Sequence, residues 1–397
     1  MDPYFHIHQP TLILNEDRTR RNIRGMAAKA RANGVRLRPH FKTHQSAAIG
    51  EWFRDEGVDT ITVSSLSMAA YFAAHGWEDI TVAFPFNLRE IEKVWELSSK
   101  AHLELLVEST EAVDFLDKQY PNELDLWIKI DAGGNRTGIP ALDNAGIIHL
   151  ASRIQASDHL NFKGILSHFG QTYSATSRGE AARLYSEGVA RMHSVRAALQ
   201  KAGYRKTLIS VGDTPGCCAC EDLSGVDEIR PGNFVFFDAT QVRIGSCLEE
   251  DIAVAVACPI VAIHPGRLEV ILYGGAVQLS KESMLDNGTA SYGDVAFPSS
   301  DGWTERIPGA YVRSLSQEHG IVHIPKAALE RVRVGDILMV LPVHSCLAVA
   351  ALGEYITLEG ERIGTMISRS EDQAEGNGGE SYQEEDDAKD ADNLPVF

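Results

Sequence analysis

Lys42 sits in an unusual setting, Arg38-Pro39-His40-Phe41-Lys42-Thr43-His44. A short apolar run, Val35 to Leu37, leads into it, and a stretch with helical periodicity, Gln45 to Phe53, follows. The pattern puts a lysine at the C-terminal end of a strand, flanked by a proline and two histidines. A lysine desolvated beside other cationic groups loses its proton and becomes a nucleophile toward a carbonyl, the chemistry of Schiff-base lysines. Read alone, Lys42 is an exposed loop residue. What separates the two readings is where the rest of the chain places it.

Other stretches also carry chemistry. Pro342-Val343-His344-Ser345-Cys346 reads as strand, and residues two apart on a strand share a face. His344 and Cys346 can then hold one ion, and imidazole with thiolate favours zinc over magnesium or manganese. The plain alternative is a buried thiol beside a half-buried histidine. Gly212-Asp213-Thr214-Pro215 and Arg230-Pro231-Gly232-Asn233 are small-residue loops whose backbone N–H groups, hydroxyl and amide suit a phosphate. Cys217, Cys218 and Cys220 crowd together without a second cluster at zinc-site spacing, and read as small, partly buried loop residues.

The elements that position these residues follow a rhythm. β-rich runs occur at 35–37, 60–63, 80–84, 103–107, 124–130, 162–167, 207–211 and 226–229. Helical stretches separate most of them, at 45–53, 66–75, 88–98, 110–118, 142–154 and 178–202, and another, 17–32, precedes them. Strands alternating with helices indicate parallel βαβ units, and eight within this length match a (β/α)8 TIM-type barrel. An open doubly wound sheet would carry G-x-G-x-x-G after its first strand, which is missing. A barrel keeps its chemistry at the strand C-termini. There stand Lys42, Ser64-Ser65, Asp131 to Gly138, His168-Phe169-Gly170 and the two small-residue loops.

After Asp238 the helical patterning stops, and β-like runs follow at 252–263, 268–273, 337–341, 348–351 and 362–367. The expected fold class is therefore α/β: a barrel over 11–240 and a C-terminal all-β domain over 241–370, with 371–397 as a disordered acidic tail. The run near Leu12 belongs to either domain.

Composition bounds the function. The net charge is −18, about half of it in the tail. That argues against nucleic acid, which needs a basic field. No run approaches the roughly 18–20 apolar residues of a membrane helix, and no secretory or retention signal is visible, so a cytoplasmic protein is expected.

Four stretches in order, namely 38–44, Ser210 to Pro215, Arg230 to Asp238 and 342–346, resemble the eukaryotic-type D-serine dehydratases. These belong with the D-threonine aldolases to the alanine-racemase-like (fold type III) pyridoxal 5'-phosphate (PLP) enzymes. The resemblance covers 11–370 and implies a role for each matching residue. Lys42 is the Schiff-base lysine and the base toward the Cα proton. Arg136 lies near the cofactor's phenolic oxygen, and His168 and Tyr173 line its ring. Thr214, Gly232 and Asn233 form the phosphate cup, and Arg230 faces the ring nitrogen as in the racemases. His344 and Cys346 hold Zn2+.

The resemblance also implies a homodimer in which each β domain completes the neighbour's active site. The implied reaction is elimination from D-serine to pyruvate and ammonia, with D-threonine or 3-hydroxy-D-aspartate as further substrates. The alternative is retro-aldol cleavage to glycine and an aldehyde, for which family members typically carry an aspartate where this chain has Cys346. Tyr273, Tyr292 and Tyr311 are unplaced candidates for a racemase base. A non-catalytic PLP-binding protein would be marked by a lost lysine or metal pair, and both are present. Arg243 and Arg313 are candidates to receive a substrate β-carboxylate.

Overall fold

A computed structural model of the protein describes residues 6–286 and 288–368; the stretch 371–397, expected to be a disordered tail, lies outside them. All eight expected barrel strands form: Arg36–Leu37, Ile61–Val63, Asp79–Pro85, His102–Val107, Leu124–Asp131, Leu160–His168, Leu208–Gly212 and Glu228–Ile229. They pair in parallel from Ile61–Val63 round to Glu228–Ile229 and on to Arg36–Leu37. A parallel bridge between His40 and Thr62 joins the two ends. There Phe41 N donates to Thr62 O and Thr62 N to Pro39 O, both at 2.9 Å.

The helices between the strands start and stop where local chemistry dictates. Asn15 caps Glu16–Asn33 by accepting from Arg18 N, and Gly34 ends it at φ 65, a left-handed conformation that costs glycine little. Ser65, Ser109 and Ser177 cap later helices in the same way as Asn15.

The barrel interior is layered, because alternate residues of a strand share a face. At the floor Arg38 reaches Glu228 and Asp79 at 2.6 Å each and Glu104 at 3.6 Å. Above it Leu106, Trp127 and Leu166 form an apolar plug. Two residues further along the same strands stand Lys129 and His168, facing a cavity at the strand C-termini.

In the β domain Val254–His264, Glu269–Tyr273, His319–His323, Gly302–Leu315, Gly293–Ser299 and Ile337–Pro342 close into a ring. Thr11–Leu14 joins this domain. It pairs antiparallel with Val254–His264 and parallel with Glu354–Thr357. The expected strand at 348–351 is instead part of the helix Ser345–Leu352. The strands within 293–323 were not expected.

Candidate active site

A cavity of about 740 Å3 opens at the C-terminal end of the barrel, between it and the β domain of the same chain. Every site residue expected from sequence lines it except Thr214: Lys42, Arg136, His168, Tyr173, Arg230, Gly232 and Asn233 from the barrel, and His344 and Cys346 from the β domain. Thr214 is fully buried. Its hydroxyl accepts from Phe234 N at 3.2 Å and its N–H donates to the Tyr173 hydroxyl at 3.5 Å, so it ties the two phosphate-type loops together.

The strand and loop ends fix each barrel side chain. His168 donates from Nδ1 to Gly212 O, which turns Nε2 toward the cavity. Burial, reinforced by Lys42 and Lys129, holds its imidazole well below the ordinary range, so it stays neutral. Arg230 is locked by Nε to Ser210 Oγ at 2.6 Å and by a second nitrogen to Ser167 O at 2.9 Å. Gly232 packs so tightly that a Cβ would meet His40 O at 2.9 Å and Thr43 Oγ1 at 3.0 Å. Arg136 follows Asn135, which is held at φ 51 in a turn where Asp131 Oδ1 accepts from Gly133 N and Asn135 N.

Of the two histidines beside Lys42, only His40 lines the cavity. His44 is turned into the core against Phe41 and Phe53, where burial lowers it to about 3.

The metal pair is arranged differently from the strand expectation. The strand ends at Pro342, His344 is the N-cap of the next helix, and Cys346 is that helix's second residue. His344 keeps an extended backbone (φ −137, ψ 103), and both side chains reach the cavity. Burial alone would raise the Cys346 thiol, but the adjoining His344 imidazole, helped by Lys42 and Thr43, holds it below the usual range. Burial would likewise lower His344, but Cys346, Asp238 and Glu282 outweigh it and raise the imidazole.

Some cavity residues escaped the sequence reading. Lys129 is buried, and burial together with Arg230 and Arg136 lowers its ammonium to about 7. Its signal was present: a charge within the apolar strand Leu124–Asp131. Asp238 is fully buried and accepts from Asn233 Nδ2 at 2.6 Å, Gln241 N at 3.0 Å and Ser345 N at 3.1 Å. It therefore holds the residue between His344 and Cys346. The Asn233 side-chain nitrogen is committed to this bond and to Ser345 Oγ at 3.0 Å, leaving the backbone of that loop to serve a phosphate. Glu282, from the loop after Ala276–Leu279, meets His344 Nδ1 at 2.8 Å. Cys217, Cys218 and Cys220 do not line the cavity, and burial raises their thiols. Tyr273, Tyr292 and Tyr311 do not line it either.

The residues fit the groups that the sequence implies. Among the described residues, Lys42, Lys129 and Arg136 have no carboxylate at ion-pair distance, which suits a cavity that receives a phosphate and a phenolate. Asn233 Oδ1, Asp213 Oδ2 and both polar atoms of the Gln241 amide are buried without a partner among the described residues, as expected where a polar ligand completes the wall. An imidazole beside a stabilised thiolate is a soft donor set suited to zinc.

Residues 14–240 match the family model for the alanine racemase N-terminal domain, and residues 253–358 the one for a putative serine dehydratase domain. The chain is 30% identical to a D-threo-3-hydroxyaspartate dehydratase from Delftia sp., over 91% of this chain and 96% of that one. It is 28% identical to a D-serine dehydratase from Dictyostelium discoideum, over 91% and 95%. The solved structure of the Delftia enzyme superposes with a TM-score of 0.84 at 27% identity, covering 92% of this chain and 99% of that one. The chain belongs to the D-serine dehydratase and D-threonine aldolase family of alanine-racemase-like enzymes, which are pyridoxal-phosphate-dependent lyases.

Proposed function

We propose that the protein is a PLP- and zinc-dependent D-serine dehydratase, converting D-serine to pyruvate and ammonia. The observation that carries this reading is that a lysine from the barrel and a soft His–Cys pair from the β domain of the same chain line one cavity. A D-threo-3-hydroxyaspartate dehydratase has been solved as a histidine-to-alanine variant and, in the metal-free form, as a cysteine-to-alanine variant two positions further on. His344 and Cys346 have the same spacing.

When bound, PLP supplies an electron sink for the substrate's Cα electrons, and zinc supplies a Lewis acid for the departing oxygen. The chain's own groups do the rest. Lys42 Nζ takes the Cα proton, and the cations Arg136 and Arg230 orient the cofactor's charged edges. His168, pinned by Gly212, presents a neutral imidazole wall with Tyr173 beside it. The loops holding Thr214, Gly232 and Asn233 seat the phosphate, and His344 and Cys346 hold zinc. The net change is loss of the Cα proton and Cβ hydroxyl as water, then hydrolysis of the released enamine to pyruvate and ammonia.

The charge around the metal pair favours D-serine over 3-hydroxy-D-aspartate. Asp238 and Glu282 line that side of the cavity, and each would repel a β-carboxylate. Arg243 is paired with Asp294 at 3.2 Å and Arg313 with Glu269 at 2.8 Å, and neither lines the cavity. The active form in this reading is a homodimer; the expectation that each β domain completes the neighbour's site is corrected for the metal pair, because His344 and Cys346 line the cavity of their own chain. Phe84, which lines the cavity, and Leu285, on the hairpin after the Glu282 loop, are 58% and 73% exposed, apolar side chains that a second copy would cover.

The test is a product assay on purified protein supplied with PLP and zinc, offering D-serine, D-threonine and 3-hydroxy-D-aspartate separately. Pyruvate and ammonia from D-serine, at the highest kcat/KM of the three, are expected. Glycine or glyoxylate without ammonia would overturn dehydration in favour of retro-aldol cleavage. Light scattering of the eluting enzyme would overturn the dimer if it gave the monomer mass.

A further inference from the structure

The His344 ring has two nitrogens, and the fold engages one of them from an unexpected direction. Glu282 Oε2 accepts from Nδ1 at 2.8 Å, across a separation of 62 residues. The ring also lies against Cys346. With Nδ1 donating to a carboxylate, Nε2 is the nitrogen left for an ion shared with Cys346. A carboxylate bound to the far nitrogen of a metal-ligating histidine fixes its tautomer, aims its ring and makes it a stronger donor.

The backbone that delivers Glu282 is costly to hold. Ser280, two residues earlier, sits at φ 67 and ψ 174, a region almost reserved for glycine. Both ends of the loop are anchored. Leu279 is 1% exposed on one side. On the other, Met284 packs with Ala239 and Val343, the latter next to His344 in the chain. Ser280 Oγ accepts from Glu282 N at 3.2 Å, closing the turn. The strained turn and its two anchors hold a half-exposed carboxylate against the one ring that the metal pair needs.

We infer that Glu282 is a positioning residue for the metal pair: it orients His344 through Nδ1 and tunes zinc affinity without ligating the ion. The inference rests on the reading of His344 and Cys346 as zinc ligands.

The test measures the zinc affinity of purified PLP-loaded enzyme by competition with a chromogenic chelator, for wild type, Glu282→Ala and Glu282→Gln. Cofactor absorbance serves as the control for folding. Glu282→Ala is expected to weaken zinc about 10–100-fold. Glu282→Gln, which keeps an oxygen acceptor for Nδ1–H, should recover most of that loss. Equal losses in Ala and Gln variants would mean that Glu282 ligates the ion directly, and unchanged affinity in both would mean that it does not support His344; either overturns the inference. If the wild-type enzyme binds no zinc, the metal reading itself fails, and the two failures are told apart by the wild-type titration.

Discussion

Replacing Arg38 by methionine should destabilise the protein by about 3–5 kcal/mol, the cost of breaking a buried charge cluster from one side. The structure shows where that cost falls. Arg38 is 1% exposed and touches three carboxylates. Two of them have other support. Glu104 keeps Lys163 at 3.1 Å, Thr81 Oγ1 at 2.6 Å and Trp127 Nε1 at 2.7 Å. Asp79 is 29% exposed and keeps His102 at 3.6 Å. Glu228, with a side chain 6% exposed, keeps Ser210 Oγ at 2.6 Å as its remaining side-chain hydrogen bond among the described residues, together with the attraction of the Arg230 guanidinium. The loss should therefore fall most heavily on Glu228, and Arg38→Met/Glu228→Gln should recover about 0.5–3 kcal/mol of it, the usual range for directly coupled neighbours. Urea unfolding followed by tryptophan fluorescence reads this out, since Trp127 lies beside the network. A single-variant cost under about 1 kcal/mol, or a double variant no more stable than the single, would refute the argument.

Lys42→Ala should abolish both turnover and the absorbance near ~420 nm expected of lysine-bound cofactor, read by spectral titration with PLP. Cys346→Asp should shift metal preference from zinc toward manganese and lower pyruvate formation while leaving cofactor absorbance intact, checked by metal analysis and the product assay. Asp238→Ala should cost about 2–4 kcal/mol, because it uncaps Ala239–Ile244 and leaves the Asn233 and Ser345 donors unpaired, and should weaken zinc as well; urea unfolding and zinc competition check both. The hydrogen bond to Asp125 and the ion pair with Asp79 raise His102 to about 10, so its stabilisation is complete below 6.5 and is lost as pH rises through about 10. The His102→Gln destabilisation, under about 1 kcal/mol for a half-exposed ring, should then be visible by urea unfolding near neutral pH and disappear at the alkaline end.

The barrel was legible because its strands are covered on both faces and read as continuous apolar runs, with turn and cap residues marking the ends. The β domain was less so. Gly302–Leu315 carries Glu305, Arg306, Pro308, Gly309 and Arg313, and its pairing with His319–His323 shifts register between Val312 and Ser314, which breaks the alternation that marks a strand. Residues 348–351 misled for a different reason: Ser345–Leu352 is apolar on nearly every side, and an all-apolar run has no period from which to tell helix from strand.

The same error touched the site. On a continuous strand His344 and Cys346 would share a face, whereas within a helix residues two apart do not face each other. They meet because the chain changes conformation between them: His344 is still extended as the N-cap, and only Cys346 lies within the helix. The spacing pointed, through the wrong element, to two residues that do line one cavity. Glu282 gave no such signal. It sits between a four-residue helix and a short hairpin, and its place beside His344 depends on a strained serine and on packing between segments far apart in the chain. The residues proposed to hold the cofactor and the ion stood in recognisable local patterns. The residue that aims them was set by tertiary packing, which local pattern does not encode.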